Sequence, residues 1–74
     1  MLFDNNILVT INGKKIKIST YQKVTIYHLI IFLGYEPNYI ALEYNNSIIL
    51  KTEWKTVYLK NNTNIQVVTI VGGG

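Results

Sequence analysis

The sequence contains no cysteine and no arginine, and only one proline and one histidine. Without cysteine the chain has no disulfide, no thiolate metal ligand and no thiol nucleophile. His28 has no second histidine with which to share a metal ion. The acidic residues are far apart in the sequence: Asp4, Glu36, Glu43 and Glu53. We therefore expect neither a metal site nor a catalytic centre, and we do not expect the chain to be an enzyme.

Charge is sparse and mostly positive. Charged residues make up 15% of the chain and give a net charge of +3, with lysines scattered along the sequence. Recognition of bases and bidentate gripping of phosphates lean on arginine, which is absent here. We therefore expect no nucleic-acid partner.

Long apolar runs are also missing. The longest apolar stretch, residues 26–33, is interrupted by Tyr27 and His28, whereas a membrane-spanning helix needs ~20 apolar residues. Strand-like alternation begins by Ile7, so we expect no signal or transit peptide and no membrane association. We expect a free monomer in the compartment where it is made. That is the cytoplasm, or the plastid stroma if the gene is plastid-encoded. The heavy use of isoleucine, asparagine, lysine and tyrosine is typical of AT-biased coding, which points to a plastid genome or a low-GC bacterium.

The sequence does contain 49% hydrophobic residues in 74 positions, which suits one small domain. Apolar residues alternate with others over residues 7–11 and again over residues 15–18. Between these segments stands Asn12-Gly13, a pair that tolerates the positive φ angles of a two-residue turn. The pattern predicts an opening β-hairpin.

One short helix is predicted over residues 25–33. Thr25 suits its N-cap and Gly34 suits the left-handed position after its end. The apolar stripe follows helical spacing and consists of Ile26, Leu29, Ile30 and Leu33. Ile31 and Phe32 are apolar as well, and the sequence leaves open whether they pack in the core or form a contact surface.

Three further strands are predicted after the helix, at residues 39–44, 47–50 and 65–71. Asn45-Asn46 makes a turn between the first two. A single helical turn begins near residue 52, and Trp54 is expected to close one end of the core.

The predicted order of strand, strand, helix, strand, strand, strand is that of the ubiquitin-like β-grasp. In this α+β fold one helix packs across one face of a mixed β-sheet, which satisfies the two-layer requirement of a small domain. The last strand is expected to lie centrally, beside the first. Residues 1–71 would form the β-grasp domain, and residues 72–74 a flexible C-terminal glycine tail.

The chain ends in Gly72-Gly73-Gly74, directly after the last predicted strand. Because glycine has no Cβ, Gly72 and Gly73 can thread a narrow channel in a partner enzyme. The α-carboxylate of Gly74, with an unperturbed pKa near ~3.5, would be ionised at neutral pH and able to attack a nucleotide phosphate. Val68 and Ile70 are expected on the outer face of the sheet, as candidates for docking a partner beside this tail.

Five features of the sequence occur together. They are the Asn12-Gly13 hairpin, the helix pattern of residues 25–34, the run at residues 40–46, the run at residues 49–54 with Trp54, and residues 65–74 with the glycines. Over nearly the whole chain this combination resembles the ThiS family of thiamine-biosynthesis sulfur carriers. The family usually has Pro-Arg where Leu50-Lys51 stands, and an Asp-Gly-Asp-like turn where residues 61–64 stand. Both replacements are compatible with a turn.

The resemblance implies that other enzymes act on Gly74. An adenylating enzyme would use ATP and magnesium to turn the Gly74 carboxylate into an acyl-adenylate. A persulfide sulfur from a cysteine desulfurase system would then displace AMP to give a C-terminal thiocarboxylate. Thiazole synthase would take that sulfur for the thiazole of thiamine, and the chain itself would bind no cofactor.

Other functions remain open at this point. The small subunit of molybdopterin synthase is a β-grasp carrier with the same terminal diglycine, but it is typically longer and tends to have prolines before the tail. A protein modifier related to ubiquitin would usually be longer too. An RNA-binding β-grasp module, from a different class, would need basic and aromatic groups clustered on one sheet face.

Overall fold

The computed structural model describes residues 5–20 and 22–70. In this part of the chain the strands are β1 (Asn5–Ile11), β2 (Lys14–Thr20), β3 (Ile40–Tyr44), β4 (Ser47–Ile49) and β5 (Thr63–Thr69). The α-helix is α1 (Ile26–Phe32), and short 3₁₀ helices cover Pro37–Tyr39 and Lys51–Glu53. The predicted order of strands and helix is confirmed.

The described strands form one mixed sheet in the order β2-β1-β5-β3-β4. β5 runs parallel to β1 and antiparallel to β3, while β1–β2 and β3–β4 are antiparallel pairs. The predicted central position of the last strand, beside the first, is therefore correct. The sheet and its single α-helix confirm the predicted β-grasp architecture.

Two tight turns join the antiparallel pairs. Asn12 and Gly13 have φ angles of 51° and 80°, and Asn45 and Asn46 have φ angles of 50° and 73°. Positive φ at both central residues defines the hairpin turn that matches the twist of its strands. The asparagines and the glycine adopt this conformation at little cost, so these short motifs predicted the turns correctly.

Helix α1 is short. Its caps determine where it begins and ends, and its packing stabilises it. The Thr25 hydroxyl accepts a hydrogen bond from the backbone N–H of His28 at 3.1 Å, and Gly34 follows the last turn with φ of 89°. Ile26, Leu29 and Ile30 are buried. A helix of this length is marginal alone, so burial of this stripe against the sheet stabilises it.

The core lies between α1 and the inner face of the sheet, and Trp54 is one of its buried residues. Trp54 is 1% exposed, and its indole N–H donates to the carbonyl of Ile49 at 3.3 Å. The buried apolar residues are Val9, Ile11, Ile26, Leu29, Ile30, Ile40, Leu42, Trp54, Leu59 and Ile65. Among the described helices, none has the length and hydropathy to span a membrane.

The predicted bounds of β5 were wrong at the start of the strand. The polar residues 60–64 predict a turn before a strand that starts at residue 65, but β5 begins at Thr63, which is buried. The Thr63 hydroxyl bonds both main-chain groups of Lys60, and the N–H of Asn64 donates to Oδ1 of Asn45 at 2.9 Å. Because these polar groups are hydrogen-bonded, both residues can join the strand. The predicted end at residue 71 lies outside the described residues.

The predicted bounds of β3 and β4 also differ from those in the structure. Tyr39 belongs to the 3₁₀ helix Pro37–Tyr39 and not to β3, and Leu50 follows β4 without belonging to it. The N–H of Leu50 donates instead to the Glu53 carboxylate at 3.0 Å. This bond turns the chain into the next 3₁₀ helix.

Candidate functional site

The candidate site is the end of β5 that leads toward the C-terminus of the sequence. Gly72, Gly73 and Gly74, predicted to be the tail that reaches partner active sites, lie outside the described residues. So does the predicted boundary between domain and tail. The structure describes the strand before the tail, up to Ile70.

β3 holds one side of this strand through its last residues. The register pairs Ile40 with Thr69 and Ala41 with Val68. One residue beyond the ladder, the N–H of Ile70 donates to the carbonyl of Tyr39 at 2.7 Å. The chain is thus tied to the body of the domain up to the last described residue.

The other side of β5 is held by the hairpin turn and not by a strand. Pairing between β1 and β5 ends at Ile11 and Ile65. The N–H of Asn12 then donates to the carbonyl of Ile65 at 3.0 Å, and its Oδ1 accepts from the N–H of Val67 at 2.7 Å. Asn12 therefore continues the ladder along the segment that precedes the tail.

The sequence predicted Asn12 only as a turn residue and missed this second role. Asn12 and Val67 are 55 positions apart, so no local pattern links them. The sequence contains one indication of this second role, which is that asparagine and not glycine precedes Gly13. Glycine would also accept the positive φ, but it would offer no side-chain acceptor.

Val68 and Ile70 form an apolar patch on the outer face of the sheet, which we call the exit patch. Their side chains are 47% and 45% exposed, while Ile65, on the opposite face of the strand, is buried. The predicted orientation of the two residues is therefore correct. Their predicted role in docking a partner remains a prediction.

Polar groups border the exit patch on the same face. Gln66 is paired with Glu43 across the β5–β3 ladder, and both line an open groove of about 430 Å³ with Asn46, Asn64 and Val68. An apolar patch with a polar margin is the usual composition of a surface that binds another protein reversibly.

His28, Glu36 and Glu53 take part in local hydrogen bonds. The His28 ring Nδ1 lies 3.0 Å from the hydroxyl of Thr25, next to the helix cap. Glu36 accepts from the N–H of Asn38 at 3.4 Å, and Glu53 caps Leu50. Among the described residues, no three histidine or acidic side chains come together in a way that could hold a metal ion.

The positions that depart from the ThiS pattern still form turns. Lys51 Nζ donates to Oδ1 of Asn38. Asn62 has φ of 66° and donates its N–H to the carbonyl of Leu8 at 2.7 Å. The Oδ1 of Asn61 accepts from the N–H of Leu8 at 2.8 Å. Asn61 and Asn62 thus form the turn that leads into β5.

Of the two alternatives for Ile31 and Phe32, their exposure excludes core packing, and a contact surface stays a prediction. They are 45% and 85% exposed, so neither is a core residue of the described domain.

Within residues 5–20 and 22–70, five strands in a mixed sheet, one α-helix across the inner face and a central last strand define a β-grasp domain. The thiamine biosynthesis protein (ThiS) from Geobacter metallireducens has a similar fold. Its crystal structure matches with a TM-score of 0.78 at 19% identity, covering 92% of this chain and 100% of that chain. An NMR solution structure of a thiamine biosynthesis protein from the same organism matches with a TM-score of 0.73, covering 92% and 88%. At such identity the likeness shows the fold.

Sequence comparison identifies the family. The ThiS family model matches residues 5–74, and the chain belongs to the ThiS family. A protein of Trieres chinensis named "Uncharacterized protein ycf40" is 36% identical over 64 residues, covering 86% of this chain and 85% of the relative. A protein of the same name from Pyropia yezoensis is 29% identical over 73 residues, covering 99% and 100%.

Proposed function

We propose that this protein is a sulfur carrier of thiamine biosynthesis, with the α-carboxylate of Gly74 as the group that carries sulfur. The observation that supports this most is the ThiS family match, which runs from residue 5 through Gly74. The match covers both the β-grasp domain and the glycine tail. Family membership supports the sulfur-carrier role. The thiamine pathway and the Gly74 carboxylate are the more specific parts of what we propose.

The proposed chemistry first makes the carboxylate electrophilic and then replaces one of its oxygens by sulfur. A partner enzyme joins the Gly74 carboxylate to the α-phosphate of ATP, releasing pyrophosphate, with magnesium held by that partner. The terminal sulfur of a persulfide then attacks the acyl carbon and AMP leaves. A second thiol reduces the resulting acyl disulfide to the thiocarboxylate. A carboxylate is a poor electrophile, whereas the acyl-adenylate has a good leaving group.

The domain's own contribution is to position the tail. Tyr39 and Asn12 hold β5 from its two sides up to Ile70, so a partner that grips the domain also places the tail. The exit patch lies next to this point and offers apolar area for that grip. Gly72 and Gly73 lack a Cβ, which lets the backbone pass close to the walls of an active site.

Two features favour the thiamine pathway over the molybdenum cofactor pathway. The two solved structures compared above are described as thiamine biosynthesis proteins, and no proline stands close before the glycines, because the single proline is Pro37. We propose thiazole synthase as the acceptor of the sulfur. An adenylating enzyme and a cysteine desulfurase system would act earlier. The small subunit of molybdopterin synthase is the competing assignment.

We propose the plastid stroma as the site of action, with the cytoplasm as the alternative. The relatives' ycf40 names are those of plastid-encoded genes in algae, and the frequent isoleucine, asparagine and lysine of the chain agree with an AT-rich genome.

The test is the intact mass of the protein after co-expression with a sulfur-activating enzyme. We expect the increase for replacing one oxygen by sulfur, located in the C-terminal peptide. Deleting Gly74, or adding one alanine after it, should abolish the increase, and one alanine added before residue 1 should leave it unchanged. Modification of the protein that lacks Gly74 would disprove the assignment.

A second assay separates the pathways. The thiocarboxylate form is supplied to purified thiazole synthase and, in a parallel reaction, to the large subunit of molybdopterin synthase. We expect sulfur transfer to the first only. Transfer to the second alone would reassign the carrier while leaving the carboxylate chemistry intact.

A further inference from the structure

Strand β2 is an edge of the sheet and has one free side. It pairs only with β1 in the described part of the chain. Ile11 and Lys14 flank a two-residue turn and so form a hydrogen-bonded pair, after which bonded and non-bonded pairs alternate. The main-chain N–H and C=O groups of Lys15, Lys17 and Ser19 therefore point away from β1. A row of such groups is a template for another strand.

An apolar groove of about 470 Å³ runs beside this edge, between β2 and α1. It is lined by apolar side chains from both elements and from the connections next to the helix: Ile16, Ile18, Val24, Leu29, Phe32 and Leu33. The edge and the groove are adjacent, so one extended segment can use the main chain of β2 and place side chains between strand and helix.

The Phe32 side chain is left in solvent by the described domain. It is 85% exposed, the largest exposed fraction among the described large apolar residues with substantial exposure. Leaving an aromatic ring in water forfeits the free energy that its burial would supply. A side chain entering the groove would recover part of it.

The charges around the groove have one sign. β2 carries Lys14, Lys15 and Lys17, and Lys17 lines the groove. Neither β2 nor α1 contains an acidic residue. Lys15 and Lys17 lie on the outer face of the sheet, whereas Ile16 and Ile18 face the helix. Lys14, paired with Ile11, lies on the helix side at the end next to the turn. A strand added alongside residues 15–19 would therefore meet Lys15 and Lys17 on one of its faces and Ile16 and Ile18 on the other.

We propose that the free edge of β2 and the groove beside it bind an extended segment of a partner protein in which apolar and acidic residues alternate. The segment adds as a further strand, which is a known mode of peptide recognition. Its apolar side chains enter the groove against Phe32. Its carboxylates lie opposite Lys15 and Lys17, since opposite charges at directly facing positions stabilise a strand pair.

A second copy of this chain fits the edge poorly. Pairing two β2 strands would bring the lysines at positions 14, 15 and 17 of both copies together, and like charges facing each other destabilise a strand pair. The charge pattern therefore favours an acidic partner over self-association.

This surface is separate from the exit patch, and the inference does not rest on the proposed function. β1 lies between β2 and β5 in the sheet. The groove opens on the helix side, whereas Val68 and Ile70 lie on the outer side. A partner can therefore occupy the groove while the tail engages an enzyme.

The test uses the isotope-labelled full chain and a short capped peptide in which glutamate and valine alternate. We expect its addition to shift the backbone amide signals of β2 and α1, with an affinity that falls as salt rises. The control peptide has the same composition with glutamates and valines in separate blocks, and we expect at least about tenfold weaker binding. Equal binding of both peptides, or shifts confined to the exit patch, would overturn the proposal.

Point variants test the named residues. Phe32→Ala should weaken binding by about tenfold or more, as expected for an aromatic anchor. Ile31→Ala changes the neighbouring exposed residue outside the groove and should bind as the original does. Lys17→Glu should weaken binding, and Lys60→Glu, far from the groove in the sequence and outside its lining, serves as its charge control. Unchanged binding by Phe32→Ala, or a dimer that the peptide dissociates, would count against the proposed occupant.

Discussion

The Oδ1 atom of Asn12 accepts a hydrogen bond from the backbone N–H of Val67 at 2.7 Å. One residue thus has two roles, since its positive φ shapes the β1–β2 turn and its side chain holds β5. We expect Asn12→Gly to keep the turn and lose this bond, because glycine accepts the φ of 51° without strain. The free energy of unfolding should fall by about 1 kcal/mol, and the Val67 amide should exchange faster with solvent.

Asn12→Ala adds strain to the same loss. A side chain with a Cβ is disfavoured at positive φ by about 1–2 kcal/mol, so this variant should unfold more easily than Asn12→Gly. Asn12→Asp keeps an acceptor and should retain most of the stability. Urea denaturation monitored by Trp54 fluorescence measures all three. Equal stability of the glycine variant and the original would show that the Asn12–Val67 bond contributes nothing.

The exit patch should matter for the partner and little for the fold. Val68→Asp and Ile70→Asp place charges on exposed positions, where surface substitutions usually change stability by about 0.5 kcal/mol or less. With the activating enzyme we expect the rate of thiocarboxylate formation to fall by about tenfold or more, because a carboxylate would be desolvated at the contact.

The matched control for the patch is Ile48→Asp. Ile48 is 74% exposed and shares the outer face through its pairing with Glu43, but it lies on β4 at the far edge of the sheet. We expect its rate to stay near that of the original protein. Equal losses at positions 48 and 68 would point to general charge repulsion and not to a local docking surface.

The tail should tolerate added bulk poorly. In Gly73→Val the β-branched side chain would widen a segment proposed to pass through a narrow channel, and it would restrict the backbone. We expect slower thiocarboxylate formation with no change in the unfolding midpoint. Gly34→Ala is the stability control. Its φ of 89° should make that variant lose stability by about 1 kcal/mol while its Gly74 remains a substrate when folded.

The cap of α1 should contribute measurably to stability. Thr25→Ala removes the acceptor for the N–H of His28, and Thr25 is buried. We expect a loss of about 1 kcal/mol. Thr25→Ser keeps the hydroxyl and should recover part of it. If both variants lose the same amount, the buried methyl group, and not the cap, is responsible.

Short-range features could be predicted because their causes lie within a few residues. Asn12-Gly13 and Asn45-Asn46 form turns through their own backbone preferences. Thr25 and Gly34 mark the ends of α1 through bonds to the next turn. The alternation in β1 and β2 predicted two strands, since successive residues of a strand point to opposite faces.

Other features depend on residues brought together from distant parts of the chain. β5 begins at Thr63 and not at the predicted residue 65, because Lys60 and Asn45 form hydrogen bonds with polar groups of Thr63 and Asn64. Ile31 and Phe32 could not be assigned from the helix pattern alone, since both are apolar and only the position of the sheet shows that they face solvent.

The sequence by itself determined the order of elements, the turns, the helix caps and the candidate reactive terminus at Gly74, because local conformation and residue chemistry depend on near neighbours. Only the tertiary structure decided that Asn12 and Tyr39 hold the strand before the tail, and that β2 borders an open groove. Those features arise when segments as far apart as Asn12 and Val67 meet, and no local preference encodes such a meeting.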